Sequence, residues 1–455
     1  MTGEDPVVVA EMVEPTGLAR TIARLRDRWR EIAESAQNVL VRQPQSDLSR
    51  RDLVRVREEI QACIEGRGGD VSSRARAAAL GQTYLSLAEP GRRQFLSLLA
   101  SENVLDAESV SDKLRTLIVP GEGYESDLRD LRAALEPPAL QVFRQFNSLP
   151  EGIKFLVDLR ADLIRFRATD PALGQLERDL RLLLSSWFDI GFLDLQRITW
   201  NASAALLEKL ANYEAVHEVR NWRDLKNRLD TDRRCYAYFH TLMPDEPLIF
   251  IEIALVNEMS GAIEPLLDTT APLGNPNHAT TAIFYSISNC QAGLAGISFG
   301  NALIKRVVHD LAHEFPGLKT FATLSPIPGF VAWLKAREAA ETPLETILAK
   351  RTWSRDPSVA NAVKDPLLKL CAHYLVEETR PGGGASDPVA HFHLSNGARI
   401  ERLDWLGDRS SRGLRMSAGI MVNYVYRLDQ IDENHENYTT SGKISYSPAI
   451  KALLR

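Results

Sequence analysis

The fold of this chain is decided between positions 280 and 325. The stretch reads TTAIFYSIS (280–288), NCQAGLAGISFGN (289–301), ALIKRVVHDLAHE (302–314) and, after a short turn, KTFATLS (319–325). The first and last segments are apolar, and the first is rich in the residue types that strands prefer. The second segment contains three glycines, and the third places apolar residues at helical spacing. The order strand, loop, helix, strand predicts an α/β unit.

The sequence before this unit has a different character. Up to about residue 190, apolar residues recur at steps of three and four, which is typical of helices with one buried face. Strand-like segments begin only after that point. We therefore expect an α+β protein with an all-α helical bundle domain over 1–190, serving as scaffold or oligomer contact, and an α/β domain over 191–455. Helices are predicted at 18–32, 53–63, 109–118, 124–135, 138–146, 152–166, 302–314, 329–337 and 366–377, and strands at 234–242, 248–256, 280–288, 319–325, 390–394, 399–405 and 416–428.

Composition limits the class of protein. The chain has 455 residues, 44% of them hydrophobic and 25% charged, which is ordinary for a globular protein. The net charge of −6 argues against a dedicated nucleic-acid binder. The four cysteines lie far apart without a CxxC pair, which excludes a zinc ribbon and indicates a reducing compartment.

The sequence also predicts where the protein works. The first seventeen residues contain four acids before any arginine, unlike a signal or transit peptide. The longest apolar stretch, residues 248–256, is too short to cross a bilayer. The last residues, Ala452-Leu453-Leu454-Arg455, are not a peroxisomal signal. We expect a soluble cytoplasmic protein without membrane contact.

The loop between the first strand and the helix is a candidate anion site. Gly293, Gly296 and Gly300 allow unusual backbone angles, and the helix that follows offers free N–H groups that suit a phosphate or pyrophosphate. The loop is neither a Walker loop nor a GxGxxG fingerprint. A glycine-rich turn without any ligand explains the pattern equally well.

Three further motifs contain chemically active side chains. His309 and His313 lie four apart on the predicted helix, as zinc ligands do, although a polar helix face explains them better. His391 and His393 alternate around Phe392 on a predicted strand, so we expect both imidazoles on one side. Ser325 precedes a proline, which keeps it extended at the end of a strand. Spacing alone favours a structural role for each.

Taken together, these segments resemble the malonyl-CoA decarboxylase family. The shared stretches are TAIFYSIS (281–288), LIKRVV (303–308), LSPIPGF (324–330), HFHL (391–394) with NGA (396–398), NYVY (423–426), SWF (186–188), GFL (191–193) and NW (221–222). The resemblance covers nearly the whole chain and is weakest in the first hundred residues.

The resemblance implies a fold, an activity and a set of site residues. It implies a helical domain followed by an acetyltransferase-like (GNAT-like) domain that converts malonyl-CoA to acetyl-CoA and carbon dioxide. It places the catalytic serine at Ser325 and the catalytic histidine at His393, both in contact with substrate, with Tyr426 in support ahead of Tyr424. The loop implied for CoA binding consists of Ala295, Gly296, Ile297, Ser298, Phe299, Gly300 and Asn301. No metal or cofactor is implied, and association through the helical domain predicts a homo-oligomer.

The chemistry is compatible with these residues. Removing carbon dioxide from a β-carboxy thioester leaves an enolate, which hydrogen-bond donors stabilise and a histidine can protonate. Two other functions stay open at this point. An acyl-CoA N-acyltransferase on the same fold would transfer its acyl group to an amine without needing His393. A non-catalytic adaptor would bind CoA and release no carbon dioxide.

Overall fold

The computed structural model describes residues 17–34, 47–66, 69–118, 124–297, 300–337, 347–348 and 352–455. These residues form two compact units. The first contains the chain up to Phe188 together with the short segment Gln291–Ile297, and the second contains Asp189–Cys290 and Ser298–Arg455. That the loop segment 291–297 groups with the helical unit was not foreseen from the sequence.

The first unit is built from helices. Their bounds are α1 (Gly17–Glu34), α2 (Arg50–Ile64), α3 (Asp70–Ser86), α4 (Glu89–Glu102), α5 (Ala107–Ile118), α6 (Tyr124–Ala134), α7 (Ala139–Asn147), α8 (Gly152–Phe166) and α9 (Gly174–Trp187). The described part of this unit also contains the 3-10 turns Pro171–Leu173 and Ala292–Leu294, and the second of these comes from the loop segment. The all-helical character predicted from the three- and four-residue spacing is confirmed.

An aromatic cluster lies at the centre of this unit. Trp29 of α1 lies 4.8 Å from Phe155 of α8 and 6.2 Å from Phe146 of α7, measured between ring centroids. Tyr84 of α3 meets Phe155 edge-on at 5.7 Å. All four rings are buried. Aromatic contacts of this geometry add to the burial of apolar area, so the predicted apolar stripes converge on one core.

The second unit combines a sheet with helices. Its elements are β1 (Leu193–Ile198), α10 (Ala204–Tyr213), α11 (Trp222–Arg228), β2 (Arg233–His240), β3 (Met243–Val256), β4 (Thr281–Asn289), α12 (Gly300–Glu314), β5 (Thr320–Thr323), β6 (Ser325–Pro326), α13 (Phe330–Arg337), α14 (Pro357–Val376), α15 (Pro388–Ser395), β7 (Arg399–Asp404), α16 (Ser411–Ser417), β8 (Met421–Val425), α17 (Ile431–Ser441) and α18 (Pro448–Leu453).

The sheet has the strand order β1-β2-β3-β4-β5-β8-β6, with β7 beside β8. Neighbouring strands are antiparallel except for β4 and β5, which run parallel and are joined through α12. In that parallel pair Phe284 lies opposite Thr323. The mixed sheet with one helical crossover agrees with the expected α+β class. It places the ends of β4 and β5 next to each other.

The structure corrects three element predictions. Residues 390–394, predicted as a strand, belong to helix α15. The strand predicted at 319–325 is divided into β5 and β6, and both pair with β8. The segment 416–428 contains only the five-residue strand β8. In the first case Asp387 and Pro388 start a helix, which overrides the short apolar run.

No helix in the described ranges is long and apolar enough to traverse a lipid bilayer.

Candidate active site

Ser325 lies at the point where β5 gives way to β6. It is buried, with 5% of its surface exposed, and it pairs with Val422 of β8. The proline that follows holds it in an extended conformation. Its hydroxyl donates a hydrogen bond to Thr323 Oγ1 at 2.8 Å. The strand end, the proline and this hydrogen bond together fix the direction of the hydroxyl.

His393 reaches this serine from helix α15. The helix begins at Asp387, whose side chain accepts hydrogen bonds from the backbone N–H groups of the first turn. It ends before Gly397, where φ is +82° and an added Cβ would lie 2.0 Å from Ile431 O. His393 is 2% exposed, and its Nε2 lies 3.1 Å from Ser325 Oγ. The two predicted catalytic residues are therefore in contact.

Two tyrosines from the end of β8 hold the imidazole. Tyr426 Oη lies 2.7 Å from His393 Nδ1. The ring of Tyr424 stacks on the imidazole, with centroids 4.6 Å apart and an interplanar angle of 27°. Both tyrosines are buried. Tyr424 Oη has no hydrogen-bond partner among the described residues, so its contribution is the ring.

These hydrogen bonds assign the protons of the imidazole. A hydroxyl has one hydrogen, and Ser325 gives its own to Thr323. The bond between His393 Nε2 and Ser325 Oγ therefore has its hydrogen on Nε2. Nδ1 is then the acceptor, and it receives the hydroxyl hydrogen of Tyr426. The result is a directed chain of donors from Tyr426 through His393 and Ser325 to Thr323.

Burial sets the charge of this histidine. It lowers the pKa of His393 to about 3, because the imidazolium ion would lose its hydration. The same cause raises the pKa of Tyr426 above its ordinary value. At neutral pH the unliganded site therefore holds a neutral imidazole and a neutral phenol. An anion bound beside the imidazole would raise its pKa again.

The predicted CoA loop is only partly described. Ala295 and Gly296 are exposed and Ile297 is half-buried, while Ser298 and Phe299 lie outside the described residues. Gly300 and Asn301 begin α12, but their side chains are not among those described. Gly296 has a φ of +74° and open space where a Cβ would stand. The N–H groups of Ala295 and Ile297 already bond within the loop.

A buried arginine anchors the start of this loop within the first unit. Arg160 of α8 donates to the carbonyl oxygens of Gly293 at 2.6 Å and Ala295 at 2.8 Å. Its guanidinium also pairs with Glu177 at 2.8 Å. An added Cβ on Gly293 would lie 1.8 Å from Val157 O. Sequence reasoning missed this anchor, because an arginine on a helical face looks like any solvated charge.

Other histidines do not join the site. His391 is two positions before His393, and residues so spaced on a helix point to different sides. Its Nδ1 lies 2.8 Å from Tyr438 Oη, so the expectation that both imidazoles share one side is wrong. His309 is largely exposed on α12. Within the described part of the chain, no group of three or more His, Cys, Asp or Glu side chains is arranged to hold a metal ion.

Comparison with known proteins identifies the family. A family model described as the malonyl-CoA decarboxylase C-terminal domain matches residues 191–455, and one described as the N-terminal domain of the same protein matches residues 105–188. The chain belongs to the malonyl-CoA decarboxylase family. The resemblance carried by LSPIPGF and HFHL is thereby confirmed, and so is the enzyme class that it implied.

Individual relatives agree with this assignment. Mitochondrial malonyl-CoA decarboxylase of Rattus norvegicus is 38% identical over 357 residues, which cover 71% of this chain and 72% of the rat protein. Crystal structures of malonyl-CoA decarboxylase from Agrobacterium vitis and Rhodopseudomonas palustris are each 40% identical with a TM-score of 0.82. They cover 88% and 89% of this chain and all of their own.

Proposed function

We propose that Ser325, His393 and Tyr426 carry out the decarboxylation of malonyl-CoA that family membership assigns to the chain. The observation that carries the proposal is the buried hydrogen-bond chain from Tyr426 through His393 to Ser325. It holds two polar groups of defined direction in the buried interior of the second unit. Such groups stabilise charge more strongly than they would in water.

The serine and the histidine act first on the acyl group. They hold the malonyl carboxylate and the thioester so that the carbon–carbon bond to the carboxylate stands perpendicular to the thioester plane. Breaking that bond releases carbon dioxide and leaves its electron pair on the α-carbon, delocalised onto the thioester oxygen. Hydrogen-bond donors aimed at that oxygen lower the barrier.

The histidine then supplies a proton. Conversion of the malonyl carboxylate to carbon dioxide and acetyl-CoA consumes one proton in total. The bound carboxylate raises the pKa of His393 from its low value in the free site, so the imidazole takes up a proton from solvent when substrate binds. His393 then transfers its Nε2 proton to the α-carbon and returns to the neutral form. Tyr426 holds the orientation of the ring throughout, because its hydroxyl oxygen accepts from Nδ1–H while the imidazole is charged.

We further propose that the pyrophosphate of CoA binds the loop Ala295–Asn301. Support comes from the open position and positive φ of Gly296 and from the start of α12 at Gly300. The free N–H groups at the start of a helix are suited to a phosphate group.

The remaining proposals concern context. The reaction as written needs no metal or redox cofactor, because the thioester itself accepts the electron pair. We propose a cytoplasmic homo-oligomer of a helical domain, residues 1–190, and a catalytic domain, residues 191–455, without nucleic-acid or membrane partners. The four free and buried cysteines are compatible with a reducing compartment. Size-exclusion chromatography with light scattering tests the oligomeric state.

The replacement His393→Asn tests the mechanism. We expect it to abolish carbon dioxide release from malonyl-CoA while CoA binding persists, because the CoA loop is left intact and only the proton donor is lost. Product is followed by mass spectrometry and CoA binding by calorimetry. His391→Asn is the matched control, since it makes the same change two residues away on the same helix and should retain activity.

Full activity in His393→Asn would refute the assignment. Incubation with malonyl-CoA in the presence of an amine separates decarboxylation from acyl transfer. A malonylated or acetylated amine as the main product would favour a transferase, and CoA binding without any product would favour an adaptor.

A further inference from the structure

Asp387 contacts neither Ser325 nor His393, yet it bonds to the segments that carry both. It is fully buried and stands at the start of α15. Its Oδ1 accepts hydrogen bonds from the backbone N–H groups of Val389 at 2.9 Å and Ala390 at 3.0 Å. This oxygen therefore caps the helix on which His393 lies six residues later.

The second oxygen of Asp387 reaches the serine segment. Oδ2 accepts a hydrogen bond from the backbone N–H of Gly329 at 3.2 Å. Gly329 follows Ser325 by four residues, and two of the three residues between them, Pro326 and Pro328, have a fixed φ. A segment so restricted transmits the position of Gly329 to Ser325.

Tyr374 of α14 completes the arrangement around this oxygen. Its hydroxyl donates to Asp387 Oδ2 at 3.5 Å. An added Cβ on Gly329 would lie 2.1 Å from Tyr374 Oη, so glycine at this position leaves room for the tyrosine hydroxyl beside the carboxylate. Glycine here serves contact rather than an unusual backbone angle.

A cap alone does not account for a carboxylate at this position. Serine or threonine caps a helix with one oxygen and without bringing a charge into the interior. Within the described ranges, no Lys, Arg or His side chain forms an ion pair with Asp387. Its charge is balanced by the four hydrogen-bond donors and by the partial positive charge of the helix N-terminus. A serine or threonine cap has no second oxygen that could accept the hydrogen bond from Gly329 N–H.

We propose that Asp387 is a positioning residue that ties the Ser325 segment to the His393 helix and so sets the contact between Ser325 Oγ and His393 Nε2. The catalytic consequence rests on the proposed function of this pair. The hydrogen bonds that join Asp387 to the two segments do not depend on that proposed function. Misplacing reacting groups by about 1 Å costs on the order of 100-fold in rate, so the loss of the tie should appear in kcat.

The test compares two helix caps of the same type. Asp387→Ser keeps a capping oxygen and removes the second acceptor. Asp356→Ser is the matched control, because Asp356 also precedes a proline and caps α14 through Ser358 N and Val359 N but is exposed. We expect Asp387→Ser to lower kcat for malonyl-CoA by about 10- to 100-fold with KM changed by less than about twofold. The control should leave both constants unchanged.

A second background separates positioning from general damage. In a Ser325→Ala background the contact between Ser325 Oγ and His393 Nε2 is already lost, so Asp387→Ser should lower the residual kcat by a clearly smaller factor than in the wild type. An equal fold-loss in both backgrounds would overturn the proposal, as would an unchanged kcat in Asp387→Ser alone. If Asp387→Ser yields too little folded protein, Asp387→Asn replaces it. Asparagine keeps the capping oxygen but presents an amide that accepts nothing from Gly329, so the same loss is expected.

A measurement without turnover distinguishes this inference from the proposed function. Nitrogen-15 NMR of histidine-labelled protein reports the hydrogen bond at His393 Nε2, assigned by comparison with His393→Asn. The resonance should shift in Asp387→Ser and Asp387→Asn and stay in place in Asp356→Ser. An unchanged resonance in both Asp387 variants would overturn the role of Asp387. A wild-type protein that releases no carbon dioxide would overturn the proposed function instead.

Discussion

At the scale of single residues, two tyrosines two positions apart support the histidine in different ways. Tyr426 offers its hydroxyl to Nδ1, whereas Tyr424 offers the face of its ring. The first contact selects which nitrogen carries the proton, and the second fixes the plane of the imidazole. The roles of the two tyrosines can therefore be separated by removing the hydroxyl oxygen of each one in turn.

Tyr426→Phe should lower kcat by about tenfold, because a buried hydrogen bond of roughly 1.4 kcal/mol is lost and Nδ1 is left without a donor. Tyr424→Phe should be close to neutral, since its hydroxyl has no partner among the described residues. Steady-state kinetics with malonyl-CoA measure both. If the two phenylalanine variants behaved alike, the hydrogen bond between Tyr426 and His393 Nδ1 would make no contribution to catalysis.

The pair of Ser325 and His393 shows what the sequence can predict at this scale. The two residues are 68 positions apart, and no spacing rule joins them; only the family resemblance named them together. The sequence does not single out Thr323 and Asp387, because a threonine in a strand and an aspartate before a proline have ordinary structural explanations. Their contacts appear only when the segments are folded together.

At the scale of elements, prediction succeeded where one signal dominated. TTAIFYSIS (280–288) is apolar and β-branched, and it forms β4 as expected. HFHL (391–394) failed because four apolar and aromatic residues suit a strand or a buried helix turn equally well. The deciding signal stood just before it, where Asp387 and Pro388 provide a typical helix start.

The anchor between α8 and the loop gives a prediction about stability. Gly293→Ala should destabilise the first unit by about 1–3 kcal/mol, since the new methyl group would press on the backbone at Val157. Gly174→Ala is the control in the same unit, because its backbone is already helical and its Cβ meets no atom closer than 3.5 Å. Thermal unfolding followed by circular dichroism compares them. A Gly293→Ala protein as stable as the control would show that the loop is not held tightly.

At the scale of the whole molecule, two neutral histidines, the buried His393 and the half-buried His217, make stability depend on pH. Burial lowers the pKa of His217 to about 4 and that of His393 to about 3, whereas a histidine in the unfolded chain titrates near 6.5. Below about pH 6.5 these two histidines are therefore protonated in the unfolded state but stay neutral in the folded state. Stability from these groups is full above that pH and is lost as the pH falls toward 4 and then 3.

Each of these histidines should weaken folding by up to about 1.4 kcal/mol for every pH unit below 6.5. Urea unfolding at pH 7, 6 and 5 measures the slope, and His217→Gln should reduce it without touching the site around Ser325. Equal slopes in the wild type and in His217→Gln would contradict the assignment of a neutral His217. The comparison is made on slopes, so a constant change in stability from the substitution does not disturb it.

The four cysteines, whose spacing indicates a reducing compartment, also determine how the native protein reacts with thiol reagents. All are free and buried, and burial raises the pKa of each thiol, that of Cys63 to about 12. Only the thiolate reacts with alkylating reagents. The four thiols of the native protein should therefore react only after local or global unfolding exposes them. Cys63 lies in the first unit and Cys371 in the second. The rate at which Cys63 is alkylated therefore reports how often the first unit opens, and the rate for Cys371 reports the same for the second unit. No cysteine has to be introduced for this measurement.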